Sequence, residues 1–562
     1  MLEITVAIWM LTLSGLSLGL GNLLKQAMRC GGSFEVVDLW LGFTALIGIL
    51  QVWHLFLPVD GRAGVLVGGI GLVGLCIGSV RNRAVFTFSN MAWVLIGGGL
   101  IAAWLGIHTT NQPVNVDSGL YHLNCVRWAK EYAIVPGLGN LHARLALNQS
   151  YFLYSALLDV GEFAHRSHQL ASGLLCLWAL IRSLVSIRAA IRARDRLKAN
   201  VIYDITMIGP VVYEIVNGMN ISSPSPDICV FLLGTTVASE LIRVLDATAC
   251  EEREYKEKAL PVILLAVLGV TVKISFAATA ATVFAVVLVY GRLHVGRRMV
   301  LPLFGMGALW SAFILAPWVG RGIILSGYVA FPLAVLPLPV DWRMPVDMAH
   351  RCYGLIRMWA LTCGGKIPAE YMGSAKGYWL WLMYVLRTQK PTIIVPVSLA
   401  ILGLLYRQLY RPARRVVAEW GFDEAYFLVP CVSLIYWFVT APDQRFAGAS
   451  FWMLGAGVVA LVLATVSKES AVLSLIFVTG MLLSREIGIV DAMGPWRKDN
   501  GPARTVVTEE RTTDSGLKVY VATVENEGRT WDSPLPSMPF FNPRVELRVP
   551  GDVSKGFRIR QK

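Results

Sequence analysis

Asp117, Tyr121 and His122 stand within six positions of one another in Asn111-Gln-Pro-Val-Asn-Val-Asp-Ser-Gly-Leu-Tyr-His-Leu-Asn124. The same polar stretch continues through Pro136-Gly-Leu-Gly-Asn-Leu-His-Ala-Arg144. If the chain turns helical after Ser118-Gly119, all three side chains converge on one small volume. A carboxylate there can take a proton from a hydroxyl or hold a divalent cation, magnesium or manganese. The plain structural alternative is that Asp117 caps a helix beginning near Leu120. His142 and Arg144, with Asn140 and Asn148 nearby, offer donors to a phosphate or a sugar, and the arginine fork can grip two oxygens at once. Side chains that merely face lipid headgroups would have the same composition.

Further candidates lie far apart in the chain. Asp227 closes Asn217-Gly-Met-Asn-Ile-Ser-Ser-Pro-Ser-Pro-Asp227, where two prolines end one connection and the aspartate opens the next helix, either as an N-cap or as a second catalytic carboxylate. Glu214 lies a turn inside the preceding apolar run, where a charge must be protonated, paired or functional. Lys273 interrupts an apolar run in Val270-Thr-Val-Lys-Ile-Ser275 and needs an anion, from a lipid phosphate or a neighbouring carboxylate. Pro442-Asp-Gln-Arg-Phe446 is a tight turn that holds Arg445 where a lipid-linked phosphate would lie, unless Asp443 simply pairs with it. Tyr328 belongs to a segment, Ser326-Gly-Tyr-Val-Ala-Phe-Pro332 through Val340-Asp-Trp-Arg-Met-Pro345, whose aromatics could stack on sugar rings or anchor in an interface.

The elements that must position these residues are apolar. Of 562 residues, 55% are hydrophobic and 15% charged, and the mean hydropathy is +0.57. Soluble domains carry about 25% charged residues. The expectation is an all-α polytopic bundle of transmembrane helices, since no barrel alternation is visible. Candidate spans are roughly 2–24, 36–57, 62–80, 86–107, 166–187, 201–217, 228–246, 299–319, 392–410, 425–440, 446–466 and 469–486. Two short spans meeting at Lys273 are placed in 259–291, giving about 12–14 in all. The start of the chain reads as the first of these spans and not as a cleaved signal peptide.

The net charge of +13 comes from basic residues clustered in short connections, which fits topology and membrane lipids, with no nucleic acid partner. The clusters Lys25/Arg29, Arg81/Arg83, Arg188 to Lys198, Arg292 to Arg298 and Arg407 to Arg415 are assigned to the cytoplasmic side. Four segments then share the other side: 108–165, 217–227, 320–390 and 441–446. Within 320–390 the pieces Leu355 to Leu361 and Tyr378 to Leu386 are too short to span and are read as amphipathic loop helices anchored by Trp359, Trp379 and Trp381. The nine cysteines form no Cys-x-x-Cys pair, although Cys352 and Cys363 share one external segment and could pair.

The expected divisions are N-terminal helices over 1–107, a large external loop over 108–165, a bundle over 166–487 and a small β-rich external tail over 488–562. In the tail, Thr505-Val-Val-Thr508, Lys518-Val-Tyr-Val-Ala522 and Val545-Glu-Leu-Arg-Val549 read as strands. A unit this small is expected to pack on the outer loops.

Taken together, Asp117 with Tyr121-His122 in a large loop, and Pro442, Arg445 and Phe446 in a later turn, resemble the GT-C superfamily of integral-membrane glycosyltransferases. The loop motifs also look like an uncharacterised branch of bacterial polytopic proteins. The resemblance implies transfer of a sugar from a polyprenyl-phosphate donor, with inversion, to a glycan or lipid acceptor at the periplasmic face of a bacterial inner membrane. Asp117 would be the general base, Arg445 and Lys273 would hold the donor phosphate, and Asp227 would assist or bind a metal. Ser118 stands where many members of that superfamily place a second carboxylate, and extra spans precede the loop. A surface-polysaccharide polymerase or ligase, or a transporter, is the alternative.

Overall fold

An apolar run in hydrocarbon can satisfy its backbone amides only within itself, as helix. The computed structural model describes residues 1–31, 34–81, 88–217, 219–246, 251–410, 422–486, 503 and 505–560. Arg83, Gly218, the 411–415 part of the last basic cluster and 488–502 of the tail lie outside the described residues.

The N-terminal helices are α1 (Leu2–Ala27), α2 (Val37–His54), α3 (Gly61–Arg81) and α4 (Phe88–Thr109). Short helices α5 (Leu123–Glu131) and α6 (Tyr151–Leu158) lie in the long loop. Then come α7 (His168–Arg192), α8 (Ala199–Thr206), α9 (Ile208–Val216) and α10 (Pro226–Leu245). The α8/α9 joint falls at Met207, where the Pro210 ring would clash with the carbonyl of residue 206 in a continuous helix. Helices α11 (Glu252–Val272) and α12 (Ala277–His294) flank Lys273, whose backbone is extended (φ −155°, ψ 122°), so the expected break is present at that residue. Next are α13 (Arg297–Ser326), α14 (Val346–Leu361), α15 (Ala375–Thr388) and α16 (Val395–Tyr410). The last are α17 (Phe422–Thr440), the single turn α18 (Gln444–Ala447), α19 (Ser450–Leu463) and α20 (Lys468–Glu486).

Among the described residues, ten helices are long and apolar enough to cross a membrane, and α17 and α19 are shorter apolar helices. Helices α7 and α10 are the most enclosed of the ten, whereas α13 and α16 turn Leu301, Leu309, Leu402 and Leu409 outward. A small-residue seam joins the first helices: a Cβ on Gly19 or Gly74 would collide with the backbone of α3 or α1.

The four segments expected to share one side do meet at one end of the bundle. Asn115 bonds Asn220 (2.8 Å), Asn140 bonds the Trp342 carbonyl (2.8 Å), and the Trp381 indole bonds the Pro442 carbonyl (3.1 Å). Trp381 is therefore buried against the 441–446 turn and is not an interfacial anchor; Trp359 and Trp379 remain half exposed. The opposite end is stitched by Lys25–Asp38 (2.8 Å), Arg182–Glu240 (2.6 Å) and Arg243–Glu35 (2.6 Å). Cys352 and Cys363 are both free.

The tail forms an antiparallel pair β1 (Thr508–Thr512) and β2 (Lys518–Ala522), with β3 (Ser537–Met538) parallel to β2, and a separate pair β4 (Val545–Leu547) and β5 (Phe557–Ile559). The first strand begins where the sequence reading ended it. The hairpin turn through Gly516 (φ 85°) pairs Thr512 with Lys518, and this register recruits the polar Thr508–Thr512 while Val507 stays exposed. The tail docks on the long loop: Trp531 N–H donates to the Gly119 carbonyl (2.8 Å), Asn124 to Ser537 (2.6 Å), and Phe557 N–H to the Pro136 carbonyl (3.0 Å).

Candidate functional site

The long loop is set against the bundle before it reaches Asp117. Asn115 is tied to Asn220, and its side-chain oxygen accepts the Asp117 amide (2.9 Å). A widened π-type turn follows over Ser118–His122, with the Leu123 amide reaching the Ser118 carbonyl. Such turns are rare and frequent at functional sites. The carboxylate makes no capping bond to the helix that follows. Its Oδ1 instead accepts from Arg144 Nη1 (3.2 Å) and its Oδ2 from Arg445 Nη1 (2.8 Å).

Arg445 is held from several sides. Asp443 caps the single turn α18 by accepting the Arg445 amide (3.0 Å), and also faces its Nε at 3.4 Å. The Trp437 indole holds the Asp443 carbonyl (2.7 Å), as Trp381 holds that of Pro442. Phe446 turns its ring between two cations, with Lys273 Nζ at 4.4 Å and the Arg445 guanidinium at 5.5 Å from the centroid. Lys273, freed from helical geometry by the α11/α12 break, is hydrogen-bonded to Asp227. The N-cap of α10 is Ser225, which accepts the Asp227 amide, so Asp227 is not the cap that its position suggests. The Lys273 and Asp227 side chains are 11% and 12% exposed, against 33% for Arg144, which makes them the deep floor of the cluster.

Tyr121 and His122 form the wall. Their ring centroids are 4.5 Å apart, and the Arg144 guanidinium sits 5.7 Å from the Tyr121 centroid. His122 Nδ1 lies 3.4 Å from Ser118 Oγ. Burial disfavours the Asp117 charge, but His122, Arg445 and Arg144 outweigh it and hold the carboxyl below its ordinary range. Burial pushes His122 down to about 4, so its imidazole is neutral at neutral pH. Burial also works against the Arg445 charge, but Asp443, Asp227 and Asp117 keep the guanidinium above its ordinary value.

Seven of the residues singled out from the sequence thus gather: Asp117, Tyr121, His122, Arg144, Asp227, Lys273 and Arg445. Two stand apart. His142 makes no side-chain hydrogen bond to the cluster, and burial with the Arg144 charge lowers it to about 3. Tyr328 is fully buried and its hydroxyl donates to the Met344 carbonyl (2.9 Å), so it braces the 326–344 loop and has no free face for a sugar ring. The Pro136 to Arg144 motif is largely scaffold, with Asn140 bridging the Trp342 and Phe557 carbonyls.

The amino-acid sequence from residue 1 to 452 matches the family model described as a domain of unknown function, DUF8201. The chain belongs to the DUF8201 family. The family match takes in α1 to α4, so these helices are integral to it, and it takes in every charged residue of the cluster, while the β tail lies beyond it. No curated protein and no solved structure matches the chain.

In this DUF8201 member three cations, Arg144, Arg445 and Lys273, stand among three carboxylates, Asp117, Asp227 and Asp443, beside an aromatic ring, and the arginine forks and the ammonium are donors that a phosphoryl group can take over. The cluster suits a divalent cation poorly. Among the described residues no three His, Cys, Asp or Glu side chains could hold a metal ion, and a dication beside Asp117 and Asp227 would be repelled by Arg144, Arg445 and Lys273.

Proposed function

We propose that this DUF8201 member is a multi-pass membrane glycosyltransferase that moves a sugar from a polyprenyl-phosphate donor to a glycan or lipid acceptor at the periplasmic face of a bacterial inner membrane. The observation that carries the reading is the sharing of Asp117 by Arg144 and Arg445 directly above the Lys273–Asp227 pair. A donor phosphate competes with Asp117 for the arginines. Once it draws them away, burial raises the proton affinity of the freed carboxylate and turns it from a counter-ion into a base. The acceptor hydroxyl oxygen then bonds to the anomeric carbon from the face opposite the phosphate, and its proton passes to Asp117. The carbon–oxygen bond to phosphate breaks, its electron pair leaves with the polyprenyl phosphate, and Arg445 and Lys273 stabilise the growing charge. Tyr121 and His122 supply a wall for the sugar.

Mass spectrometry of envelope glycans tests this. Asp117→Asn, at matched protein level, is expected to remove the same sugar mass as a gene deletion, and to lower transfer by purified protein about 10²–10⁴-fold. Glycans that change in the deletion but stay intact in Asp117→Asn would overturn the assignment of the base. The two arginines on one carboxylate also suit a polysaccharide polymerase or ligase acting on a diphosphate-linked glycan; in that case Arg144→Gln and Arg445→Gln abolish product while Asp117→Asn leaves it.

A further inference from the structure

One more arginine, outside the Asp117 cluster, lies in the apolar body of the protein. Arg321, in the last two turns of α13, is 5% exposed, and among the described residues no carboxylate pairs with it. Its Nη1 donates to His54 Nδ1 at the end of α2, and its Nε has no partner. A neutral imidazole that accepts at Nδ1 carries its proton at Nε2, and His54 Nε2 is buried without a well-formed hydrogen bond, although the imidazole also faces the Tyr132 carbonyl. Both side chains line a cavity of about 40 Å³, together with Cys125, Arg144, Asn148 and Gln149. No Asp or Glu lines it. Asn148 Oδ1 and Gln149 Oε1 are unsatisfied there as well. A buried guanidinium without a counter-ion is strongly unfavourable; of the open polar atoms here Arg321 Nε and His54 Nε2 are donors, whereas Asn148 Oδ1 and Gln149 Oε1 are acceptors that take a hydroxyl proton, as a protonated phosphate supplies.

We infer that this cavity binds a small tetrahedral oxyanion of the phosphate class, with Arg321 as its counter-ion and His54 Nε2–H as a second donor. Its size agrees, being roughly three times the 10–15 Å³ that one water requires. The anion can be free phosphate or the head of a lipid phosphate. For the second source, a separate apolar groove lined by Trp53, Phe56, Leu66 and Phe313 lies on another face of α2 and has room for a chain. Arg144 links this cavity to the catalytic cluster, because it lines the one and bonds Asp117 in the other. The inference goes beyond the transfer reaction and is read by binding without turnover, so it stands or falls separately from it.

The test is calorimetric titration of full-length protein in detergent with sodium phosphate at constant ionic strength, and native mass spectrometry of the protein in nanodiscs with and without a polyprenyl phosphate. The wild type is expected to bind one of the two probes saturably. Measured in an Arg445→Gln background, which removes phosphate held at the Asp117 cluster, Arg321→Met and His54→Leu are each expected to raise that dissociation constant at least about tenfold. Saturation by inorganic phosphate identifies the free ion as the source; binding only from the nanodisc identifies the lipid head. Should Arg321→Met fail to fold, Arg321→Lys, which keeps the charge and loses the fork, is expected to weaken binding but keep it measurable, with His54→Leu weaker than wild type. Binding unchanged in Arg321→Met or His54→Leu, or no binding of either probe by the wild type, would overturn the inference.

Discussion

Arg445 shows what a single side chain contributes at this site. It spans two acceptors at once, Asp117 through Nη1 and Asp443 through Nε, and an ammonium cannot copy that fork. On the proposed transfer reaction, Arg445→Lys is therefore expected to lower kcat/KM for a short-chain polyprenyl-phosphate sugar by about 10²–10³-fold, with little change in thermal stability. His122 sets a pH response. Its folded value of about 4 lies below the roughly 6.5 of an unfolded histidine, so between those values the unfolded chain binds the extra proton. Stability should fall as pH drops from about 6.5 to 4, by about 3 kcal/mol at most, and His122→Gln should flatten that part of a denaturation series. Asp117 acts only further down, because its depressed carboxyl contributes fully above about 3.9 and is lost as pH falls through the folded value. Much of this cluster was legible in the sequence, since charged residues stand out in an apolar chain. Arg321 carries the same signal as Lys273, a lone cation in a long apolar run, but it sits in an unbroken helix, so no change of local pattern marks it.

At the scale of elements, the Lys273 break followed from charge bias alone, and the backbone turns extended at that residue. Turn chemistry was less legible. The polar β1 pairs because its hairpin fixes the register, and Tyr328 is core because Ser326 and Met344 fold over it, neither of which a local pattern encodes. The loop and the tail meet at one glycine. A Cβ on Gly119 would lie 2.6 Å from the Trp531 ring, so Gly119→Ala is expected to cost about 1–3 kcal/mol through overpacking and to loosen the tail first. Limited proteolysis should then release fragments from 503–560 while the helices stay intact; equal resistance to wild type would show that the indole can move aside.

The whole molecule is a bundle with its charges sorted to two ends and a β tail closing one of them. Charge parity predicted which loops share an end and that the tail joins them. The pairings themselves, such as Arg127 with the Asp532 carbonyl (2.9 Å), come from three-dimensional docking and leave no trace in spacing. Removal of the chain after residue 487 should leave the helices in place, speed amide exchange across 118–165 and reduce transfer at least tenfold, whereas unaltered exchange would mean that the loop stands alone. The bond between Asn124 and Ser537 joins residues 413 apart. At about 5–20 residues per second, a ribosome finishes the second partner roughly 20–80 s after the first. For that interval the loop waits with Gly119 and Arg127 uncovered, and its contacts are complete only when residues 531–537 arrive.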